Sequence, residues 1–453
     1  MSSTPRGRRR TQTALATLAS VAVCAAFAVA GIGASRNDEA ASLWGAAVWL
    51  GVVLGAGAAA HIAIGRWAPD SNELAFGIVG LLVGVGWVTV VRVDPGLAPG
   101  HTIAVVAGFG ALVGSLFAMP LLDWCMRRPG TLGAIAIVLA ALGLFGRGTD
   151  VAAGAYEPAR QWLHLGAASL QPYGLAKLAV MLAACGLTVA APPWLGDRLA
   201  FHRHVAGATA AAVGAWTLLI LGGDIASGVV MFVAAWLPLW LDGDGHHTHA
   251  APTAARSVRV RTLGGIIAAY GVGVVVLVSV NDRLSAHVRH WQNPWTAADG
   301  PATTESAFAM SAGGLSGVGP GLGSPQRIAG AHSDFVFAVV VEELGILGGA
   351  SILAAFMLLT GVGAAIAQRA HGTHRLLATT ATMVVGLQAL LSIAGVLRLA
   401  PHTVGALPFV AHGPAALVGN CIAVGLLLAI SSGGGASRNG PADVPDSVTA
   451  RRS

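Results

Sequence analysis

Charged side chains are scarce in this chain of 453 residues: Asp, Glu, Lys and Arg make up only 10% of it, and 55% is hydrophobic. A soluble domain carries about 25% charged residues, so this scarcity excludes a soluble enzyme and indicates a polytopic membrane protein. The net charge of +6 and the pI of about 9.8 do not indicate a nucleic-acid partner. Arginines in cytoplasmic loops explain both values under the positive-inside rule.

Cysteine and lysine are also rare. The four cysteines, Cys24, Cys125, Cys185 and Cys421, stand singly in or beside apolar segments. This spacing excludes a CxxC pair and a disulfide framework, and it assigns the cysteines to packing. Lys177 is the only lysine of the chain, and it lies inside an apolar segment.

Long apolar runs dominate the sequence instead, and each is long enough to cross a bilayer as a helix of about 20 residues. Twelve such runs fall near 12–34, 41–64, 74–92, 101–120, 131–147, 172–192, 206–222, 225–241, 263–281, 338–366, 377–399 and 413–431. A signal peptide is the alternative for the first run, but its apolar region would be only about 7–15 residues long. We therefore predict an all-α polytopic membrane protein with about twelve transmembrane helices.

The arginines predict the orientation of these helices. Segments on the side of the N-terminus hold about twice as many arginines as those on the other side, which predicts that both termini are cytoplasmic. The topology then contains two long outside loops, near 148–171 and 282–337, and a short outside turn that presents Asp224. Any chemistry must occur at the membrane, because no soluble catalytic domain is present.

The stretch 311–349 combines a glycine-rich run with acidic residues in an apolar segment. The glycine-rich run lacks the GK[ST] ending and the GxGxxG spacing, so a nucleotide site is not predicted. Asp334 is predicted to open a helix that continues through Glu343. At about 100° per residue, Glu342 lies about 80° from Asp334, while Glu343 faces nearly opposite, so Asp334 and Glu342 are predicted to line one cavity. Burial there favours a general base; the alternative is that Ser333 and Asp334 cap the helix.

Cationic and amide side chains are predicted at the same outer end of the molecule. Arg160, Lys177 and Asp224 would form with Asp334 a cavity of mixed charge, and phosphate prefers such Arg and Lys donors. The alternative for Lys177 is snorkelling of its ammonium to the membrane surface. Gln388 stands in a membrane helix, where a hydrogen bond to a neighbouring helix is the simpler explanation.

Four blocks of the sequence occur in the order and spacing of a known family. They are SAGGLSGVGPGLGSPQRIAGAHSDFVFAVVVEELGILGG, RQWLHLGAASLQPYGLAKLA, LLILGGDIASGVV and QALLSIAGVLRLAPHTVGALPFVAHG. The first block resembles a glycine-rich loop followed by A-H-T-D-F-I-F-A-V-x-x-E-E-L-G in the SEDS proteins, and the second resembles their RW-x-x-L-G…QPSE-x-x-K block. The third resembles their L-x-x-x-PD-x-GTA block, and the fourth resembles their P-x-T-G-x-x-LPF-x-SYG block. These are the FtsW, RodA and SpoVE type, and the chain looks like an actinobacterial RodA-like member.

The resemblance implies a division of the chain and a location in the cytoplasmic membrane as a multi-pass protein. The predicted parts are a basic cytoplasmic N-terminus at 1–11, two accessory transmembrane helices at 12–73, a SEDS-like core of ten helices at 74–432 and a disordered cytoplasmic tail at 433–453.

The resemblance also implies an activity. The family polymerises lipid II into glycan strands outside the cytoplasmic membrane, in elongation, division or sporulation, usually with a class B penicillin-binding transpeptidase. Asp334 matches the family's essential aspartate, which implies that it deprotonates the acceptor sugar hydroxyl. Carboxylates that face a pyrophosphate admit Mg²⁺ or another divalent cation, although no set of metal ligands is legible. The implied substrate-binding residues are Arg160, Lys177, Gln171, Asp224, Glu342 and Gln388.

The sequence departs from the family pattern at several positions. Gly174 and Tyr173 stand where the QPSE block has its glutamate and serine, and the SYGGS block is replaced by residues 411–415, AHGPA. Two alternatives to the glycosyltransferase therefore stay open. One is a divergent, non-catalytic scaffold or regulator of a class B penicillin-binding protein, and the other is a flippase for lipid-linked substrates.

Overall fold

The protein is almost entirely helical. The computed structural model describes residues 5–34, 45–144, 163–165, 168–170, 173–189, 225–241, 253–295, 301–401 and 405–433. The helices are α1 Pro5–Ala34, α2 Ala47–Trp67, α3 Glu73–Val93, α4 Ala98–Ser115, α5 Met119–Met126, α6 Pro129–Leu144, α7 Tyr173–Val189, α8 Ile225–Leu241, α9 Thr253–Val280, α10 Asp282–Gln292, α11 Pro301–Gly313, α12 Val336–Arg369, α13 Gly372–Val396 and α14 Pro414–Gly433. The strands β1 Leu163–Leu165 and β2 Ala168–Leu170 form an antiparallel hairpin in the loop predicted near 148–171.

The prediction of a polytopic all-α protein is confirmed. In the described part of the chain, seven helices are long and apolar enough to cross a membrane, and four shorter apolar helices accompany them. Together they coincide with eleven of the twelve predicted segments. The remaining predicted segment, 206–222, lies outside the described residues. Most of the predicted tail and the first four residues also lie outside them. The count of twelve therefore stays a prediction.

The most buried helices form the centre of the bundle. α3, α13 and α14 bury 72%, 67% and 78% of their spans, whereas α1 and α2 bury only 28% and 22%. The two N-terminal helices therefore lie at the periphery, where their apolar side chains face the membrane. Within the bundle, α4 packs against α14, and α12 packs against α13 and α3.

The predicted outside loop near 282–337 contains the helices α10 and α11 and a short 3₁₀ helix at Pro325–Arg327. Two reciprocal hydrogen bonds hold α10 to the end of α13. The Trp291 indole donates to the Arg398 carbonyl at 2.9 Å, and the Arg398 guanidinium donates to the Trp291 carbonyl at 2.9 Å. α11 packs against α12, so the loop is folded onto the helix that follows Asp334.

Candidate active site

Asp334 lies in a tight turn immediately before α12. The carbonyl of Gly330 accepts three backbone hydrogen bonds, from Ser333 at 3.0 Å, from Asp334 at 3.0 Å and from Phe335 at 3.1 Å. Gly330 adopts a φ of +73°, which a residue with a side chain rarely takes. The N-cap of α12 is Phe335, and its side chain makes no capping hydrogen bond. The alternative that Ser333 or Asp334 is the N-cap is therefore wrong, by two residues and by one residue respectively. The partly buried Asp334 side chain lies just before the helix.

The loop between α13 and α14 holds this turn from the other side. The backbone N–H of His412 donates to the carbonyl of His332 at 2.8 Å. The imidazole Nδ1 of His412 lies 3.2 Å from the Nδ1 of His101, a fully buried residue of α4. One of the two nitrogens must donate and the other accept, so the pair requires complementary tautomers. Three elements thus meet at the turn that carries Asp334.

The two histidines of these loops are held neutral. Burial and, to a smaller extent, the neighbouring His332 lower the pKa of His412 to about 4, against the opposing charge of Asp94. Burial also lowers the pKa of His332, again against the opposing charge of Asp94. At pH 7 the surroundings of Asp334 therefore contain neutral imidazoles rather than imidazolium cations.

The glycine-rich run, residues 314–324, which we call the glycine loop, lies against a break in α12. At Gly345 the backbone takes φ +70° and ψ −172°, which interrupts the helix. In a continuous helix, Ile346 would donate to the carbonyl of Glu342, and Leu347 to that of Glu343. The break leaves these two N–H groups and two carbonyls without helical partners.

The glycine loop supplies those partners, so the break exchanges two helical bonds for four bonds between segments. Val318 donates to the Glu342 carbonyl at 2.9 Å, Gly319 to the Glu343 carbonyl at 3.1 Å, Ile346 to the Gly314 carbonyl at 2.9 Å and Leu347 to the Leu315 carbonyl at 3.3 Å. Close approach is possible because Gly317 has no side chain: a Cβ there would overlap the carbonyl of Glu343. The glycine content of the loop is therefore a requirement of this pairing.

Three buried charged side chains close the same contact. Arg92, in the last turn of α3, donates to the carbonyls of Gly321 at 3.1 Å and Gly323 at 3.3 Å, and it pairs with Glu343 at 3.4 Å. The Glu343 carboxylate accepts from the Gly321 N–H at 2.9 Å. The Glu342 carboxylate accepts from the backbone N–H of Ser324, also in the glycine loop, at 3.0 Å. The prediction that Glu343 faces nearly opposite to Asp334 and away from Glu342 is corrected here, because both carboxylates contact the glycine loop.

Lys177 lies at the junction of α7, α13 and α14. Its ammonium donates to the side-chain oxygens of Gln388 and Asn420, each at 2.6 Å, and the side chain is fully buried. Snorkelling of Lys177 to the membrane surface is therefore wrong. Gln388 also donates to the carbonyl of Ala406 at 3.1 Å. The structure thus brings together two of the predicted site residues, Lys177 and Gln388, inside the bundle.

Three predicted site residues, Arg160, Gln171 and Asp224, lie outside the described residues. Within the part of the chain that the structure describes, no group of three or more His, Cys, Asp and Glu side chains is placed to hold a metal ion. Residues that sequence reasoning missed are Arg92, His101, His332, His412 and Asn420. A polar side chain inside an apolar helix was the available signal for Arg92, His101 and Asn420; the two loop histidines stand inside blocks that resemble the family motifs.

Comparison with known sequences identifies relatives over most of the chain. The family model of the FtsW, RodA and SpoVE type, described as a cell cycle protein, matches residues 74–434. The peptidoglycan glycosyltransferase RodA of Mycobacterium tuberculosis (strain ATCC 25618 / H37Rv) is 26% identical over 401 residues, which cover 83% of this chain and 81% of the relative. The probable peptidoglycan glycosyltransferase FtsW of Halorhodospira halophila (strain DSM 244 / SL1) is 30% identical over 336 residues, or 71% of this chain and 79% of the relative.

Solved structures show the same fold. A chain of a peptidoglycan synthase complex superposes with a TM-score of 0.61 at 21% identity and covers 80% of this chain and 97% of that chain. RodA of Thermus thermophilus superposes with a TM-score of 0.54 at 20% identity and covers 80% of this chain and 97% of that chain. Because the family model matches well over half of the sequence, the chain belongs to the FtsW, RodA and SpoVE family.

Proposed function

We propose that this chain is a peptidoglycan glycosyltransferase that polymerises lipid II into glycan strands at the outer face of the cytoplasmic membrane. The names of the relatives support this proposal. One observation carries it: Asp334 is kept ahead of α12, in a turn that Gly330 closes and that the backbone of His412 holds. Both termini are proposed to be cytoplasmic, as the arginine distribution predicts.

In the proposed reaction, Asp334 is the general base. The hydroxyl of the acceptor sugar gives its proton to the Asp334 carboxylate, and its oxygen forms a bond to the anomeric carbon of the donor sugar. The bond from that carbon to undecaprenyl pyrophosphate breaks, and the electron pair leaves with the pyrophosphate.

Cationic side chains are proposed to stabilise the charge that develops on the pyrophosphate. We assign direct phosphate contact to Arg160, and we propose Gln171 and Asp224 as further substrate contacts. Lys177 is proposed to act from the interior, because its ammonium is engaged with Gln388 and Asn420. In this assignment Lys177 and Gln388 position α7 against α13 and α14, and Glu342 positions the glycine loop.

The test is polymerisation of lipid II by the purified protein and by the variant Asp334→Ala. We expect the variant to lose at least about 100-fold in rate, the usual effect of removing a general base. Asp70→Asn is the matched control, because Asp70 is an exposed carboxylate between α2 and α3, and it should polymerise at the wild-type rate. Polymer formation by Asp334→Ala at an undiminished rate would sink the assignment.

A class B penicillin-binding transpeptidase is the proposed partner. The support is that a similar chain lies in a peptidoglycan synthase complex. The polymerisation assay should therefore be run with and without the purified transpeptidase of the same organism, and a higher rate in its presence is expected. An unchanged rate, with no complex on size-exclusion chromatography, would count against this partner.

A non-catalytic scaffold is the second candidate, and one contact favours it. Gly174, which stands where the family has a glutamate, packs directly against the backbone of Ala415: a Cβ at Gly174 would lie 2.8 Å from the Ala415 carbonyl oxygen. Two altered blocks thus meet in a close contact with the backbone that leaves no room for the glutamate. A scaffold predicts that Asp334→Ala complements a deletion strain fully, whereas an enzyme predicts that it fails.

A further inference from the structure

A cavity of about 350 Å³ lies between α1, α2, α3 and α4. Its walls include Thr17 of α1, Val53 and Gly57 of α2, Gly80 of α3 and Phe109 of α4. Two of these helices precede residue 74, where the family match begins. The cavity is therefore built in part by the two N-terminal helices, and it is separate from the turn that carries Asp334.

The cavity exists because α1 contacts α3 at two points and stands away from it between them. A Cβ at Gly77 would lie 3.2 Å from Leu15, and a Cβ at Gly84 would overlap the side chain of Val23. At Gly80, between these contacts, a Cβ would meet no atom within 4 Å. Gly80 thus faces open space, and a side chain there would enter the cavity without moving the backbone.

The hydroxyl groups of Thr17 and Ser20 line the cavity, but each already donates to a backbone carbonyl of its own helix. Thr17 donates to the carbonyl of Thr13 at 2.8 Å, and Ser20 donates to the carbonyl of Ala16 at 2.9 Å. These hydroxyls are satisfied within α1 and offer no donor to a guest. A cavity that holds ordered water needs two to four polar partners for each molecule, so this wall suits a hydrocarbon better than water.

One end of the cavity is polar. The Nε2 of His61 lies 3.3 Å from the Oγ1 of Thr13. Arg66 is exposed and follows the lining residue Ile62 by one helical turn in α2. Positive charge therefore adjoins the polar end, and it complements an anionic headgroup.

We propose that this cavity is a binding site for one membrane phospholipid with an anionic headgroup. One acyl chain lies in the cavity beside Gly57 and Gly80, and the phosphate lies at the polar end near His61 and Arg66. A helix of a partner protein is too thick for the space, because a helix with its side chains measures about 10–12 Å across. An acyl chain is the apolar molecule that surrounds membrane-spanning helices, and it is narrow enough to enter.

Native mass spectrometry of the purified full-length chain tests the proposal, with phosphatidylglycerol and phosphatidylcholine of identical acyl chains as the added lipids. We expect the wild type to retain one phosphatidylglycerol, with at least a tenfold preference over phosphatidylcholine. Gly80→Leu should lose this molecule, because the leucine side chain occupies the part of the cavity in which the acyl chain is proposed to lie. Gly110→Leu is the matched control: Gly110 is exposed on α4, has no atom within 4 Å of a Cβ position and should retain the lipid. Arg66→Gln should reduce the preference for phosphatidylglycerol.

Two results would overturn the proposal. Equal retention by the wild type and Gly80→Leu would exclude the cavity as the site of the acyl chain. Equal retention of the two lipids by the wild type would exclude selection of an anionic headgroup. If Gly80→Leu does not fold, phosphatidylglycerol with a photoreactive diazirine in its acyl chain decides with the wild type alone. Labelling of the peptides around Gly57 and Gly80 supports the site, and labelling confined to other helices refutes it.

Discussion

Two cations are buried among the described helices, and they are accommodated in different ways. Arg92 faces the glycine loop, where it pairs with Glu343 and donates to two loop carbonyls. Lys177 lies between three helices and donates to two neutral amide oxygens, those of Gln388 and Asn420. The first cation is thus bonded to backbone carbonyls and a carboxylate, and the second is hydrogen-bonded to two side-chain amides.

The difference follows from the state of the backbone. At Gly345 the helix is broken, so carbonyls and N–H groups need new partners, and the glycine loop and Arg92 provide them. Around Lys177 the helices are continuous, so their backbone groups are already satisfied. The glycine loop therefore depends on main-chain geometry, whereas the Lys177 cluster depends on the side chains of residues from three helices.

Gly345→Ala should have the largest effect on stability, and it acts on the glycine loop rather than on the Lys177 cluster. The φ and ψ of Gly345 lie in a region that is open almost only to glycine, and a Cβ would overlap the carbonyl of Leu315. We expect a loss of about 3–5 kcal/mol, from strain together with the overlap. The measurement is the Tm in detergent micelles, followed together with lipid II polymerisation.

Gly361→Ala is the matched control for this change. Gly361 also lies in α12, but a Cβ there meets no atom within 4 Å. Alanine in a helix interior should raise stability by about 0.5–1 kcal/mol. A Gly345→Ala protein with the Tm of Gly361→Ala would contradict the pairing of the glycine loop with the break in α12.

Lys177→Met tests the other region and should have a smaller effect. Methionine fills a similar volume but leaves the oxygens of Gln388 and Asn420 without their shared donor, which costs about 1–3 kcal/mol. Both Tm and polymerisation should fall, because α7 is no longer held against α13 and α14. If the rate falls while the Tm is unchanged, Lys177 contacts substrate, and the positioning role that we propose is wrong.

The sequence predicts the apolar helices well and the helix ends less well. Hydropathy alone places α3 and α13 within a few residues, because a membrane span must satisfy its backbone internally. The same pattern treats α12 as continuous over 338–366, and the acidic stretch before it predicts a start at Asp334. The structure begins it at Val336 and breaks it at Gly345. Periodicity carries no signal for the break, because Gly345 is one of many glycines, and only its loop partners show that this one interrupts the helix.

The candidate site is predictable in part. Asp334 stands out as an acid beside a membrane segment, and Lys177 as the only lysine. Their neighbours are not predictable, because those contacts join residues far apart in the chain: Arg92 reaches Gly321, and Lys177 reaches Asn420. Spacing rules apply within one helix, and these pairs are formed by the packing of different helices.

The smallest effect is expected for the pair of His101 and His412, because this pair buries no charge. The pKa of His412 is lowered by burial to about 4, below the ordinary histidine value of 6.5. Between these values the folded state binds fewer protons than the unfolded state, so stability is full above pH 6.5 and is lost as the pH falls towards 4. We expect a loss of about 1–2 kcal/mol at pH 5 relative to pH 7.

His412→Asn should reduce this loss, because an amide does not titrate in this range and its NH₂, bonded to Cγ as Nδ1 is, can still donate to His101. The Tm at pH 7 and pH 5 measures the effect, with His374→Gln as the control, since His374 is exposed at the start of α13. The control should keep the wild-type difference between the two values. Because the Nδ1 contact allows only one donor, a second proton on the pair must break it. If His412→Asn loses as much stability at pH 5 as the wild type, the histidine pair does not hold the turn of Asp334 in its neutral form.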